Sequence, residues 1–236
     1  MSIPTIEPQD IYRTQMMEAK LRLLAAERVS NSVSPVNRLV AFDSEFCFLQ
    51  IRRVIELITF SSMSREEDRY RKLREQQHIA NKRDHGNPAR DWQAPEILKR
   101  LVTLSPHALP IPIAKAERSS ENIVHFERHS ISVNHGRLIE LYEKCGGYMH
   151  GKNPLVMDFA ALVESERKKY EVAPTEIRRA LDFLRKLLWH HAVVQLDWSD
   201  PNDPKVVDNP SSAWLVEFGL SEGQDIVIAV AVAQDA

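Results

Sequence analysis

The segment from Phe42 to Phe60 constrains the fold more than any other part of the chain. At about 100° of rotation per residue, its apolar side chains fall on two opposite sides of an α-helix. One side carries Phe42, Phe46, Leu49, Leu57 and Phe60, and the other carries Cys47, Phe48, Ile51, Val54, Ile55 and Ile58. A helix that is apolar on both sides is typical of the centre of a protein. The sequence therefore predicts a buried central helix here.

Charged residues interrupt this helix where apolar residues would be expected. Arg53 falls within the first apolar side, and Glu45, Arg52 and Glu56 form a narrow strip beside it. A buried charge is costly unless it is paired or lines a cavity. Three interpretations fit the strip. It is a structural ion-pair network, a polar cleft whose arginines hold a phosphate or a partner's carboxylate, or an exposed face at a subunit interface.

A histidine preceded by two glycines is the second candidate, in a helix predicted for residues 134–150. Gly146 and Gly147 form the helix surface beneath the side chain of His150. Each glycine costs roughly 0.5–1 kcal/mol relative to alanine in a helix interior. This bare surface predicts close packing of another helix, and we expect segment 42–60 to be that helix. His150 would then face Arg52, Glu56 or Glu45, either as a structural hydrogen-bond partner or as an acid or base.

The remaining patterns indicate a mainly α-helical protein of the α+β class, a helical bundle with a small C-terminal antiparallel β-sheet. Helical patterns cover residues 10–28, 38–82, 94–106, 134–150, 153–171 and 173–191, the last starting at Pro174 and Thr175. Residues 108–116 are expected to be extended, and β-rich runs cover residues 192–198, 213–219 and 225–233. We therefore predict a flexible tail at residues 1–9, a helical domain at 10–191, and a β-hairpin or meander at 192–236 packed on the helices.

Composition excludes several functional classes. The formal net charge of −2 gives no overall attraction to nucleic acids or membranes, and no apolar run approaches the roughly 20 residues of a spanning helix. The first residues lack the features of a secretory signal, so we expect a cytoplasmic protein. Cys47 and Cys145 form no CxxC pair, and the histidines show no zinc-site spacing. We expect no metal and no cofactor, and we interpret His191 as a hydrogen-bonded core or helix-end residue.

The charged segment at residues 64–84 has two interpretations. Its acidic and basic residues are interleaved, which favours a solvated helix with ion pairs between neighbouring turns. Its arginines and lysines also allow a basic face for nucleic acid or for a protein partner. The candidate binding residues, here and on the two helices above, are Arg53, Arg69, Lys72 and Lys144. The four tryptophans, Trp92, Trp189, Trp198 and Trp214, are expected to pack in the core or on the sheet.

Three segments resemble a family of uncharacterised bacterial helical proteins: FDSEFCFLQIRRVIELITF, DWQAPEILKRL and LIELYEKCGGYMHGKNP. The shared pattern is a helix with LQxRRxxE, a middle helix preceded by tryptophan, and a YxxCGxxxHxxNP segment. The matching positions are Glu45, Gln50, Arg52, Arg53, Glu56, Trp92, Tyr142, Cys145, Gly146, His150, Asn153 and Pro154. In helical layout the chain also looks like HEPN-type and abortive-infection proteins of phage defence, a likeness at the level of fold.

The resemblance implies an accessory or effector protein of a bacterial phage-defence or toxin–antitoxin system that acts on RNA. In that hypothesis Arg52 and Arg53 hold a phosphate and His150 transfers a proton. Glu45 and Glu56 orient them. HEPN-type ribonucleases carry arginine and histidine with four to six residues between them, whereas before His150 a lysine, Lys144, occupies the nearest equivalent position. The spacing also occurs at Arg185, before His190 and His191.

The alternative function is a non-enzymatic protein-interaction module, or a nucleic-acid-binding adaptor of a defence complex. In the first case the polar strip is structural, and the charged helix at residues 64–84 or the edge of the C-terminal sheet binds a protein partner. The expected partners are RNA or another protein, with a homodimer as a further possibility and no membrane.

Overall fold

A computed structural model describes residues 7–82, 85–118, 124–128, 134–151, 155, 158–219 and 221–232. The helices are α1 (Pro8–Ser30), α2 (Val40–Arg65), α3 (Glu67–Ala80), α4 (Ala94–Leu104), α5 (His135–Met149) and α6 (Phe159–Leu188), with a 3₁₀ turn at Pro88–Arg90. The strands are β1 (Ile111–Arg118), β2 (Val124–Arg128), β3 (His190–Trp198), β4 (Val207–Glu217) and β5 (Val227–Val232). This confirms a mainly α-helical fold with a small antiparallel sheet. Within these ranges, no helix is both long enough and apolar enough to cross a bilayer.

Helix α2 is the element on which the other helices pack. Helices α1, α4, α5 and α6 all contact it. Its side chains Phe48, Ile51, Val54, Ile55 and Ile58 are fully buried, as predicted for one of its two apolar sides. Burying a large apolar side chain contributes about 1.5–3 kcal/mol. This inner side of α2 is therefore a main source of the stability of the fold.

The outer side of α2 is not buried, and the prediction of a helix buried all round is wrong. Phe42 is 51% exposed and Leu49 is 42% exposed. Phe46, Leu57 and Phe60 on the same side are only partly buried. We call these five residues the apolar stripe. The physical reason is that the neighbouring helices cover the inner side of α2 and its flanks. Phe46, Leu57 and Phe60 pack on the edges of the buried clusters, and Phe42 and Leu49 are left facing outward.

Two helix boundaries differ from the prediction. The helical pattern at 38–82 is divided at Glu66, whose ψ of 23° departs from the α-helical value of about −42°. The patterns at 153–171 and 173–191 form one helix, α6, with Pro174 in its interior. Pro174 does not start a helix, although it removes the amide that would bond to the carbonyl of Tyr170. Packing of the buried residues after it holds α6 together.

The sheet draws on two regions of the chain. Its strand order is β2-β1-β3-β4-β5, and every pairing is antiparallel. The β-rich C-terminal runs form β3, β4 and β5, as predicted. Strands β1 and β2 come from between α4 and α5, inside the domain predicted as helical, and β1 overlaps residues 108–116, which were expected to be extended. Strand β1 joins β3 through the register pairs of Ile111 with Ala192 and Pro112 with His191.

A fully buried histidine links α1, α6 and the sheet. The Nδ1 atom of His191 donates to the carbonyl oxygen of Leu188 at 2.8 Å, since a carbonyl can only accept. The Nε2 atom therefore accepts the hydroxyl hydrogen of Tyr12 at 2.7 Å. Burial lowers the pKa of His191 to about 4. This confirms the expected hydrogen-bonded core histidine, held in its neutral form.

Titration of His191 is expected to destabilise the protein in acid. The unfolded histidine, with a pKa of about 6.5, binds its proton before the folded one, so stability falls as the pH drops from about 6.5 toward 4. The contribution is about 2 kcal/mol between roughly pH 7 and pH 4.5. Urea unfolding of the wild type and of His191→Gln at both pH values measures it. His190→Gln is the control, because His190 is half exposed. Equal pH dependence in all three proteins would contradict a neutral core histidine.

Candidate functional site

The charged strip of α2 meets α5 in a polar network formed by Arg52, Arg53, Glu56 and Tyr142. The Tyr142 hydroxyl donates to Glu56 Oε1 at 3.0 Å. Arg52 Nη2 donates to the same hydroxyl at 2.5 Å, and Arg52 Nε lies 3.5 Å from Glu56 Oε1. Arg53 Nη1 donates to the other carboxylate oxygen of Glu56 at 2.7 Å. The Glu56 carboxylate thus pairs with two guanidinium groups and accepts a hydrogen bond from one phenol.

The network is partly buried and leaves one cation facing outward. The side chains of Glu56 and Arg52 are 13% and 22% exposed, whereas that of Arg53 is 57% exposed. Burial, and then the charge of Glu56, raises the pKa of Tyr142, so its hydroxyl stays protonated as a donor. Two arginines against one carboxylate leave a net positive charge. Arg53 can therefore take a carboxylate or phosphate from outside the chain.

The two glycines of α5 have different surroundings. A Cβ atom added to Gly146 would lie 3.1 Å from Arg52 Nη1, whereas one added to Gly147 would meet nothing within 4 Å. The carbon at the centre of the Arg52 guanidinium also lies 3.8 Å from the centroid of the Tyr142 ring. The predicted close packing against α2 is therefore confirmed at Gly146. The group that needs the space is the Arg52 side chain.

Glu45 belongs to a different contact. The Tyr170 hydroxyl of α6 donates to Glu45 Oε1 at 2.5 Å. The Tyr170 ring lies edge-on to Tyr148, which stacks on Phe48 at 3.9 Å between centroids. Burial, followed by the hydrogen bond to Glu45, raises the pKa of Tyr170. Glu45 thus anchors α6 to α2 and does not orient Arg52.

His150 ends α5 and is exposed. Within the part of the chain that the structure describes, its side chain makes no hydrogen bond or ion pair. The structure therefore brings Arg52 and Glu56 together, but it places His150 in hydrogen-bonding contact with neither of them. The next two predicted positions, Asn153 and Pro154, lie outside the described residues. A proton-transfer role for His150 stays a prediction.

Arg69, predicted to bind nucleic acid or a partner, is buried, and that prediction needs correction. Its guanidinium donates from Nη1 to Glu66 at 2.7 Å, from Nε to the Pro204 carbonyl at 2.8 Å, and from Nη2 to the Leu104 carbonyl at 2.5 Å. All three nitrogens are engaged inside the protein. The physical reason is structural: Arg69 joins α3 to the end of α4 and to the β3–β4 connection.

The other two basic candidates lie at the surface. Lys144 Nζ pairs with Glu176 Oε1 at 2.8 Å and is half exposed. Lys72 is one-third exposed and lies 4.0 Å from Glu75. Ion pairs of this exposed kind contribute little to stability and exchange easily for another anion. Their predicted binding roles stay predictions.

Neither the two cysteines nor Arg185 with His190 and His191 forms a catalytic arrangement in the part of the chain that the structure describes. Burial raises the pKa of both Cys47 and Cys145 to about 12, so neither thiol ionises readily. Arg185 binds the carboxylate of Glu27 at 2.9 Å and stacks on the Trp189 ring at 3.8 Å. His191 is meanwhile held in the core by Tyr12. In the described ranges, no group of three or more His, Cys, Asp or Glu residues could hold a metal ion.

Sequence reasoning did not assign site roles to Tyr142 and Tyr170. Tyr142 lies four residues before Gly146, and therefore on the same face of α5, so helical spacing could have found it. The pairing of Tyr170 with Glu45 joins residues that are 125 positions apart, and no local pattern reveals it.

Comparison with known proteins adds no assignment: no family model, no curated protein and no solved structure matches the chain.

Substituting the two glycines separately tests the contact with Arg52. Alanine in a helix is favoured over glycine by roughly 0.5–1 kcal/mol, so Gly147→Ala is expected to stabilise the protein. Gly146→Ala is expected to lose that gain, because the new methyl group displaces the Arg52 guanidinium. Urea unfolding of both variants measures the difference. Equal stabilisation at the two positions would show that Gly146 is not a packing contact.

Comparing Arg69 with Arg71 tests the burial of the charged helix. Arg69→Ala leaves Glu66 and two carbonyls with one donor fewer, and is expected to cost about 3–5 kcal/mol. Arg71→Ala removes an exposed pair with Glu67 and is expected to change stability by less than about 0.5 kcal/mol. Thermal or urea unfolding distinguishes them. A loss of stability in Arg69→Ala as small as that in Arg71→Ala would mean that the Arg69 side chain is exposed to solvent.

Proposed function

We propose that the chain is a non-enzymatic protein-interaction module that binds an apolar helix of a partner protein along the outer side of α2. The observation that carries this proposal is the exposure of the apolar stripe, above all of Phe42 and Leu49. Contiguous exposed apolar surface on a folded protein marks sites of interaction. An exposed face at a subunit interface was one of the three interpretations of the charged strip beside these residues.

The geometry of the stripe suits a helical ligand. At 1.5 Å per residue, the exposed side chains of Phe42 and Leu49 lie about 10 Å, or two helical turns, apart along the axis, and the partly buried Leu57 lies about two turns further on. Gln50 contacts Arg22 of α1, and Arg52 contacts Tyr142 of α5. Helical rotation puts these two contacts on opposite flanks of the stripe. A partner helix would therefore lie between α1 and α5, with its own apolar face against α2.

Charge adds a condition on the partner. Arg53 stands in the middle of the stripe, and Glu56 holds one of its terminal nitrogens. The rest of its guanidinium faces outward and has donors left for a second carboxylate. The partner helix is thus expected to present an apolar face with an aspartate or glutamate opposite Arg53. This acid would fix the register of the two helices.

The geometry gives less support to RNA cleavage. Arg52 and Glu56 are engaged with Tyr142, and His150 stands apart from them. An acid–base site needs its groups within hydrogen-bond reach of one reacting atom. The defence context and the action on RNA implied by the resemblance stay predictions.

Charge substitution on the stripe tests the module. The double variant Phe42→Glu, Leu49→Glu is expected to fold normally, since both residues are exposed, and to lose its partner. Ile79→Glu is the matched control, because Ile79 is an exposed apolar residue of α3, 78% exposed. The measurement is the stoichiometry of the protein that co-purifies with each variant from native cells, alongside circular dichroism.

Two outcomes would overturn the proposal. One is undiminished recovery of the same partner by the double variant. The other is ribonuclease activity of the wild type that disappears in a folded His150→Ala variant, since this would favour the enzymatic hypothesis. Loss of partner in the double variant together with retention in Ile79→Glu supports the module.

A further inference from the structure

A second surface, on α3, α4 and the loop between them, exposes a tryptophan. Trp92 is 68% exposed, so the expectation that it packs in the core is wrong. The other three tryptophans are at least partly buried. Trp92 lines a cavity of about 180 Å³ together with His85, Arg90 and Arg100, among other residues. An exposed aromatic ring beside arginines is a feature of surfaces that bind nucleic-acid bases and phosphates.

We propose that this cavity, the Trp92 groove, binds a nucleotide of a single-stranded nucleic acid. The base stacks on Trp92, and Arg90 and Arg100 hold its phosphate. The groove involves none of the α2 residues of the apolar stripe, so this inference is independent of the proposed protein-binding function.

The floor of the groove is an ion-pair network around Asp91. Asp91, with its side chain 5% exposed, accepts the Tyr70 hydroxyl at 2.8 Å. Two guanidinium groups face this one carboxylate, Arg74 at 2.9 Å and Arg100 at 3.7 Å. His85 Nε2 lies 3.3 Å from the other oxygen of Asp91. Asp91 is therefore paired within the protein, and Arg100 of this network lines the cavity.

The rim of the groove adds a free cation. Arg90 is exposed and, among the residues that the structure describes, its guanidinium makes no hydrogen bond or ion pair. Glu96 is a second acid of the lining, and Lys99 pairs with it at 2.8 Å. The charge left unneutralised is therefore positive. Guanidinium groups bind phosphate through parallel hydrogen bonds, which makes Arg90 and Arg100 suitable ligands.

The segment at residues 85–93, which carries Trp92, is held in a defined position. Gly86 has a φ of +65°, and a Cβ atom there would lie 2.8 Å from Cβ of His78 on α3. Only glycine fits this close approach with positive φ. The Asn87 side chain then accepts the amide hydrogen of Ala89 at 3.0 Å and starts the 3₁₀ turn. A site held in place before binding spends less free energy on ordering its ligand contacts.

The groove continues beyond one nucleotide. A second cavity, of about 480 Å³, shares Glu96 and Arg100 with the first and extends to Lys99 and Thr103. The two cavities together run past the first turns of α4. This continuity favours a strand with successive phosphates over a free mononucleotide.

Binding of a fluorescent oligouridylate of about ten nucleotides, measured by anisotropy on the full chain, tests the site. Trp92→Ala is expected to weaken binding about tenfold, whereas Trp92→Phe, which keeps an aromatic face, retains most of the affinity. Arg90→Ala is expected to weaken binding and to reduce the slope of log affinity against log salt by about 0.7. Phe159→Ala, which removes an exposed aromatic ring on α6, is the control and is expected to bind as the wild type does.

Three results would overturn the proposal. The first is no measurable binding of the oligonucleotide by the wild type at roughly 50 mM salt. The second is equal affinity of the wild type and Trp92→Ala. The third is binding of uridine monophosphate as tight as that of the oligonucleotide, which would identify a site for free nucleotides. Because Trp92 and Arg90 are exposed, thermal melts are expected to show that these variants fold.

Discussion

Arg52 is the polar side chain that joins α5 to α2, beside the apolar packing of the two helices. Its guanidinium lies against the Tyr142 ring on one side and approaches the bare surface of Gly146 on the other. An arginine at the border of a core is tolerable only when its charge is compensated and its donors are satisfied. Glu56 supplies the charge and Tyr142 supplies a hydrogen-bond acceptor. The glycine that weakens α5 locally thus makes room for the contact that fixes α5 in place.

Helix α2 has two unlike sides, an inner side in the core and an outer side that other helices leave uncovered. The inner side, with Ile51, Ile55 and Ile58, is fully used in the core. The polar network and the α1 contact occupy the two flanks, and the apolar stripe remains outside them. Apolar side chains as large as Phe42 and Leu49 stabilise a monomer little when they stay in water. Their place on the central helix is accounted for if another helix covers them.

Local patterns in the sequence predicted much of this framework. Helical periodicity placed α1, α4 and α5 within a few residues and found the start of α2 but not its end, and the paired glycines predicted the approach of α5 to α2. The β-rich runs predicted β3 to β5. Each of these features is encoded by spacing within one element, which a single sequence displays directly.

The remaining features depend on which elements meet in space. Periodicity shows that Phe42 and Leu49 share a face, but it does not show whether a neighbour covers that face. The burial of Arg69 depends on carbonyls of Leu104 and Pro204, which reach it from distant parts of the chain. Glu45 was grouped with Arg52 because they share a strip of α2, whereas Tyr170 binds it from α6. Pro174 sits inside α6 because tertiary packing outweighs a local signal to begin a helix.

The two proposed surfaces are carried by different elements, so one chain could join a protein partner to a nucleic-acid strand. The central claim concerns the stripe, and photo-crosslinking in native cells tests it most directly. A photoreactive amino acid replaces Leu49, or Ile79 as a site outside the stripe. A discrete adduct with one partner protein, formed from position 49 and absent from position 79, is the predicted result. No adduct from position 49, or the same adducts from both positions, would contradict a binding surface on α2.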